Sequence, residues 1–533
     1  MRLALNSIKP TKDFTMPGVV IFCTLIGLSV RLIAPLQATF PLNDGGLFYA
    51  MIVDLQEASY KLPFFATYNA VDIPFSYPPL AFYLTGLLSD LLHIPTFDLL
   101  RILPALISTL TIPAFYLLAK EITDSKLQIV FGMFAFALLP RGFSWLIMGG
   151  GITRSIGLLF AILTMIFAYR FYIGHAPHHL LFFVLMGTLT VVTHPEATVH
   201  TAITALIFYL WKDRSFKGFM LSMGIAASIL VLSAPWWGLV ISRHGFAPFL
   251  AAIIASGQDS INPLFGLFIF IRFMFTEEPF LPILSMLGLI GIFANLTRKQ
   301  TLLPAWMFIL HLIEPRGGAL YMMIPLALLI GDSLGNIILP VLRSEGDGQF
   351  PTSLKQSLEQ LLGGRVTRYF ILFLFAYAIM SAYSTSQTIQ NKLSLQPADL
   401  EAFAWVRENT MKDSQFLLIT DQMPLRDAWS EWFPVLAERH SQATVFGYEW
   451  VNDGKFGERV ASYNNLQACM HQDINCLNQW NLSSNNTPHT YVALWNINGP
   501  METPMYVYLN FDLTYELVFK NSNTSVYRYH SSQ

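Results

Sequence analysis

The sequence predicts a mostly α-helical, polytopic membrane protein of about eleven transmembrane helices, closed by an extracytoplasmic α/β domain. Three observations carry that prediction. Only 12% of the 533 residues are charged and 53% are hydrophobic, where soluble globular chains carry about 25% charged residues. The apolar residues gather into separate blocks, several of them near the roughly 20 residues a spanning helix needs. Beyond residue 395 those blocks give way to short alternating and amphipathic segments.

The blocks lie near 17–36, 102–121, 127–146, 152–172, 179–193, 197–211, 218–238, 280–296, 301–313, 318–340 and 367–386. The first of them is long enough to span and reads as an uncleaved anchor rather than a signal peptide. Lys and Arg set the orientation, because cytoplasmic loops retain them. Arg2, Lys9 and Lys12 precede the first span; later clusters are Lys120 with Lys126, Lys212 with Arg214 and Lys217, Arg298 with Lys299, and Arg343, Lys355, Arg365 and Arg368. All of these fall on one side, whereas the loop after the first span is acidic, with Asp44, Asp54, Glu57 and Asp72 against Lys61. The amino terminus is therefore expected in the cytoplasm and the carboxyl terminus outside.

This arrangement requires that two further apolar stretches do not cross. "YPPLAFYLTGLLSDLLHI" (77–94) and "INPLFGLFIFIRFMF" (261–275) are short, and either alone would invert every later basic loop. Both read as helices on or dipping into the outer surface. The division expected is a membrane domain over 1–394, with a large first external loop at 37–101 and a second at 239–279, then an external domain over 395–533. In that last part Leu400, Phe403 and Val406 share a helix face, and "SQFLLIT", "TPHTYVALWNI" and "TSVYRYH" read as strands. Cys469 and Cys476 lie in a polar stretch there and can pair as a disulfide in an oxidising compartment. A net charge of −2 argues against nucleic acid as a partner, and no internal repeat of the transporter kind is present.

"PLNDGGLFYAMIVDLQE" follows the first span directly. One reading makes Asn43 or Asp44 the cap of a helix beginning at Gly45, with Leu47, Phe48, Met51, Ile52 and Leu55 along one side, as in an interfacial helix. The other makes Asp44 a carboxylate at the outer membrane face, where it can take a proton from an acceptor hydroxyl or anchor a divalent ion such as Mg or Mn.

"NDGGLFYAMIVDL", "PFSYPPLAFYLTGLL" and "LLRILPALISTLTIPAFYLLAKEI" together resemble the amino-terminal half of C-type (GT-C) membrane glycosyltransferases, in the branch of protein O-mannosyltransferases and aminoarabinose transferases. That branch opens its first external loop with an acidic residue, starts a second surface helix with a Pro-Pro-Leu-type segment, and opens the next span with an Arg. Here the positions are Asp44; Pro78, Pro79 and Leu80; and Arg101. The layout matches over residues 15 to about 340. Where the family often has Asp-Glu this chain has Asp44-Gly45, so an acidic partner has to come from elsewhere or not exist. The resemblance implies inverting transfer of a sugar from a polyprenyl-phosphate carrier in the bilayer to a glycan, lipid or protein acceptor outside. Asp44 is then the base, and cations hold the departing phosphate.

Arg316, in "LIEPRGGALYMMIPLALL", resembles the Arg that contacts the lipid phosphate in related transferases; its structural alternative is a snorkelling Arg or a pair with Glu314. Arg154, in "GGGITRSIGLLF", is placed similarly, while Arg141 reads as an interface anchor. His194, Glu196 and His200 in "VVTHPEATVH" do not have zinc spacing. Pro195 argues for a helix start there, and His194 and Glu196 read as a wall of the site. Tyr77 and, in "FTEEPF", Glu277 and Glu278 complete that wall; the alternative for the two Glu is helix capping.

Two other classes compete. Oligosaccharyltransferases share aromatic-rich segments such as "APWWGLV" and "RDAWSEWFPVLAER", but the Trp-Trp-Asp-Tyr-Gly signature is absent. A transporter needs ionisable residues lining a mid-membrane path. Here charge gathers at the outer ends of the spans, with His311 and Arg31 as exceptions and Arg31 near enough to an end to snorkel.

Overall fold

The computed structural model describes residues 15–258, 275–343, 353–451, 453–484, 489–496, 499 and 503–530. The surface helix expected at 261–275 lies almost wholly outside the described residues, as do Arg2, Lys9 and Lys12.

Every predicted span overlaps a helix, and the one expected at 127–146 is helical only as far as Leu138. The chain runs through α1 (Thr15–Gln37), α2 (Gly46–Glu57), α3 (Leu80–Leu92), α4 (Thr96–Ile122), α5 (Lys126–Leu138), α6 (Gly151–Gly174), α7 (Pro177–Val191), α8 (Pro195–Lys212) and α9 (Phe216–His244). It continues with α10 (Ala247–Gln258), α11 (Ile283–Thr297), α12 (Leu302–Ile313), α13 (Pro315–Tyr321) and α14 (Met323–Ser333), which a π turn extends to Leu342. Next come α15 (Leu354–Gly363) and α16 (Arg365–Leu393). Among the described residues six helices are long and apolar enough to cross a membrane, α1, α4, α6, α9, the Gly317–Leu342 run and the one begun by α16, and α3, α5, α7, α11 and α12 are shorter apolar helices. The protein is therefore a membrane protein.

Local chemistry explains the boundaries. Ser125 and Ser215 cap α5 and α9 by accepting the N–H of Gln128 and Gly218. Proline stands in the first turn of α7 and α8, where its missing N–H costs nothing. α5 stops early, at Leu138, because Pro140 disfavours helix in the residue before it. Residues 140–150 become an irregular, mostly buried segment rather than the last turns of a span. The α14 run is the most enclosed, with 83% of its window buried. A Cβ on its Gly331 would lie 2.1 Å from the Gln128 carbonyl of α5, so the two backbones pack directly.

Arg31 does not snorkel. It is fully buried and donates to Ser108 Oγ at 3.0 Å and to the Ala137 carbonyl at 2.8 Å, with its guanidinium over Phe143. Tertiary packing inside the bundle outweighs the pull of the interface.

The first loop holds more than two surface helices. Between them β1 (Phe65–Tyr68) and β2 (Val71–Pro74) form an antiparallel hairpin. Its two turn residues, Asn69 and Ala70, both have positive φ (55° and 51°), as a tight two-residue hairpin turn requires. α3 exposes Leu84, Leu87, Leu91 and Leu92, the apolar face expected of a helix at a membrane surface.

After α16 come α17 (Pro397–Asn409), β3 (Gln415–Ile419), α18 (Ala428–Leu436), β4 (His440–Ser441), α19 (Phe456–Ala468), α20 (Ile474–Ser484), β5 (Tyr491–Trp495), α21 (Pro504–Phe511), β6 (Tyr515–Lys520) and β7 (Thr524–Tyr529). They form a C-terminal β-sheet domain with strand order β4-β3-β5-β7-β6, parallel across β4, β3 and β5 and antiparallel across β7 and β6. The predicted strands appear as β3, β5 and β7. Cys469 and Cys476 are joined as a disulfide with Cα atoms 5.6 Å apart.

Candidate functional site

Asp44 does not cap α2. That helix starts at Gly46, its N-cap is Gly45, and no side chain caps it. The Asp44 carboxylate turns instead to the start of α6. Gly150 N–H donates to Oδ1 at 3.0 Å and Arg154 Nη2 donates to Oδ2 at 2.7 Å. The reason is a pair of interlocked glycine runs. Gly149 N–H bonds the Leu42 carbonyl at 2.9 Å, and a Cβ on Gly150 would lie 2.5 Å from Asp44 Oδ2. On the other side Gly45, with φ +127°, adopts a conformation L side chains rarely reach. A Cβ on Gly46 would lie 2.6 Å from the Glu431 carbonyl. Asp44 is thus held between α6 and the C-terminal domain.

α18 supplies the groups on that second side. Trp432 Nε1 donates to the Asn43 carbonyl at 2.9 Å, and Gly45 N–H donates to Glu431 Oε1 at 2.8 Å. Glu431 is buried; burial, then the charge of Asp44, raise its carboxyl well above the ordinary value. Glu431 is an acidic neighbour of Asp44 that sequence reasoning missed. It stands 386 positions beyond Gly45 in the "WSEWF" segment, and no local pattern joins it to the Asp44 turn.

Arg154 spans two environments. Besides its ion pair with Asp44, its guanidinium lies over Trp145 at 5.5 Å from the ring centre. Arg426, an exposed residue before α18, lies over the same ring at 5.2 Å. Sequence reasoning missed Arg426 as well. Tyr77 closes this side: its hydroxyl is 3.2 Å from Thr153 Oγ1, and its ring packs edge-on to Phe48 and Trp450.

His194 and Glu196 stand at the start of α8, as Pro195 implied. His194 Nδ1 accepts the Ala197 N–H at 3.3 Å and so caps the helix, with its ring 6.3 Å from that of Tyr77. His200 faces elsewhere, with Nε2 2.9 Å from Glu314 Oε2. Glu196 and Glu314 converge on Gly317, where an added Cβ would lie 2.9 and 2.6 Å from their Oε2 atoms. The Arg316 side chain lies outside the described residues.

Glu277 and Glu278 have other partners. Glu277 pairs with Arg141, which is therefore no free interface anchor, and receives Ser144 Oγ at 3.3 Å. Glu278 accepts the N–H groups of Leu284 and Ser285 at the start of α11 and the Tyr377 hydroxyl at 2.8 Å. The helix-capping alternative describes Glu278.

Gly150 N–H and Arg154 each bond one oxygen of Asp44. Among the described residues, no three His, Cys, Asp or Glu side chains are placed to hold an ion.

No family model matches the sequence, and no curated protein sequence matches it. Solved structures do match. The Archaeoglobus fulgidus oligosaccharyltransferase AglB, in complex with an inhibitory peptide and a dolichol-phosphate, is 16% identical; the match covers 98% of this chain and 75% of that one, with TM-score 0.57. ArnT from Cupriavidus metallidurans, bound to undecaprenyl phosphate, is 15% identical over 97% of this chain and 98% of its own, with TM-score 0.56. The arabinofuranosyltransferase AftD from Mycobacteria is 13% identical over 96% of this chain and 40% of its own, with TM-score 0.52. The chain therefore shares the GT-C fold of these membrane glycosyltransferases.

Proposed function

We propose that the protein transfers a sugar from a polyprenyl-phosphate-linked donor to an acceptor hydroxyl at the outer membrane face, with inversion, and that Asp44 is the base. The observation that carries this is Asp44 itself. It is a carboxylate just past the first span, held from two sides by elements far apart in sequence. A carboxylate has about four acceptor positions. The two bonds it receives leave capacity for a substrate hydroxyl.

The acceptor oxygen forms the new bond to the anomeric carbon while the bond to the phosphate breaks, its electron pair leaving on the phosphate. Positive charge develops on the sugar ring, and the hydroxyl proton passes to Asp44. Arg154 orients the carboxylate through one nitrogen and retains other N–H donors. The exposed Arg426 lies over the same Trp145 ring, and the two guanidinia are the candidate partners for an anionic phosphate. Arg316 is a further candidate for the same phosphate. The matched ArnT and AglB structures carry undecaprenyl phosphate and dolichol-phosphate, which supports a lipid-phosphate donor here.

The test is transfer by the purified full-length protein from a panel of polyprenyl-phosphate sugars to glycan, lipid and peptide acceptors. Inverted product from any hydroxyl acceptor is expected. Consumption of donor only with an asparagine-containing peptide would replace this reading with the oligosaccharyltransferase one. Tight binding of every donor with no transfer to any acceptor would overturn it.

A further inference from the structure

We propose that Glu431, carried by the C-terminal domain, is the second carboxyl of the Asp44 centre and holds a proton there, so that the two acids share one negative charge against Arg154. This rests on the glycosyltransfer reading and adds a positioning residue to it.

The geometry is specific. Glu431 Oε1 accepts the Gly45 N–H at 2.8 Å, and so fixes the turn from which Asp44 projects. Its other oxygen, Oε2, is buried and has no hydrogen-bond partner among the described residues. A charged carboxylate in that position would leave an oxygen both desolvated and unsatisfied, which is costly; the protonated acid avoids the charge. The groups facing it point the same way. Asp44 comes from the loop before α2, Glu449 from the turn at 448–450, and Arg154 from α6. Tyr68 of β1 donates its hydroxyl to the Glu431 carbonyl at 2.7 Å and also feels Asp427, at the start of α18. Arg154 is the one cation in that set, against Asp44, Glu449 and Asp427. A second full charge on Glu431 would find no further cation in that set. Burial, then Asp44, keep it protonated well above the ordinary carboxyl value, which the Gly45 N–H and Arg154 offset only in part. A Cβ on Gly46 would lie 2.6 Å from the Glu431 carbonyl, so the two backbones pack directly at this turn.

In the transfer step Asp44 is then the member of the pair that carries the charge and takes the hydroxyl proton. Glu431 stays neutral throughout and keeps the Gly45 turn in register.

The experiment uses purified full-length wild type, Glu431→Gln, Glu431→Asp and Glu431→Ala. Without donor, infrared difference spectra across a pH jump should show a protonated carboxyl in wild type that is absent in Glu431→Gln. The sign for stability follows from a folded value raised above the unfolded one of roughly 4.3. The stabilising contribution is complete below that value and is lost as pH rises through the raised one. Wild-type Tm should therefore fall with rising pH more steeply than that of Glu431→Gln. Transfer by Glu431→Gln, a neutral isostere, should stay within about threefold of wild type at neutral pH, with its alkaline limb moved upward. Glu431→Ala removes the acceptor of a buried N–H and should lose roughly 10–100-fold. An unchanged carboxyl signal and pH profile in both Glu431→Gln and Glu431→Asp would overturn the proposal while leaving the glycosyltransfer reading intact. If wild type transfers nothing, that reading fails instead, and the infrared and unfolding measurements still decide the state of Glu431.

Discussion

Replacing Asp44 with Asn keeps the shape of the side chain and removes its charge from Arg154, whose guanidinium is only partly exposed. The expected cost is about 1–3 kcal/mol of stability, from one weakened charge-assisted bond rather than from a lost helix cap. Turnover should fall by ~10²–10⁴-fold, the usual range for loss of a general base. A stable Asp44→Asn protein with wild-type turnover would end the case for Asp44 as base. Arg426→Ala should instead weaken donor binding, seen as a raised KM with kcat less affected, because an exposed cation contributes attraction more than alignment. Asp44 was legible in the sequence because its setting is local: an acidic turn immediately after a span. Arg426 and Glu431 were not. Neither sits in a pattern of its own, and each reaches the site only through the docking of α18 on the first loop.

At the scale of elements, helix boundaries followed from hydropathy and proline, which act on neighbouring residues. The hairpin of β1 and β2 did not, because its Asn-Ala turn lacks the glycine that usually marks a positive-φ pair. Tertiary contacts sustain it: Asn69 exchanges two hydrogen bonds with the backbone of Ser441, at 2.9 and 2.8 Å. The junction of Asp44 with the start of α6 gives a sharp expectation. Gly150→Ala puts a methyl group 2.5 Å from Asp44 Oδ2. Transfer should drop at least tenfold while circular dichroism keeps the wild-type helical signal. In the C-terminal domain, the bridge between the turn after α19 and the start of α20 closes a loop with a separation of 7. Its removal by paired Cys469→Ser and Cys476→Ser should cost that domain about 2 kcal/mol. Chemical denaturation measures the cost, and mass spectrometry without reductant should find no free thiol at either position in wild type.

For the whole molecule, the first loop and the C-terminal domain touch at Asn43, Gly45, Tyr68 and Asn69, so they share one face. The bias of the basic loops leads us to expect the opposite face in the cytoplasm. Cysteines introduced at the exposed positions Lys61 and Lys455 should therefore react with an impermeant thiol reagent added outside, and one at Lys217 should not. Labelling of Lys217→Cys from outside would invert the arrangement and remove the site from the outer face. The orientation expected from charge bias is a property of whole loops, and the labelling decides it. The way the last part of the chain closes over the first loop was not legible in the sequence, because it depends on shape complementarity between surfaces hundreds of residues apart.

The bond from Gly45 to Glu431 also sets a clock on synthesis. Its two ends are 386 residues apart. At about 5–20 residues per second the ribosome makes the second end roughly 20–80 s after the first. Throughout that interval the Asn43–Gly46 turn has already been made, yet the carboxyl and the indole that clamp it do not exist. A nascent or prematurely terminated chain therefore carries an unfinished centre, and the complete one arrives only when the last domain has been delivered and has docked.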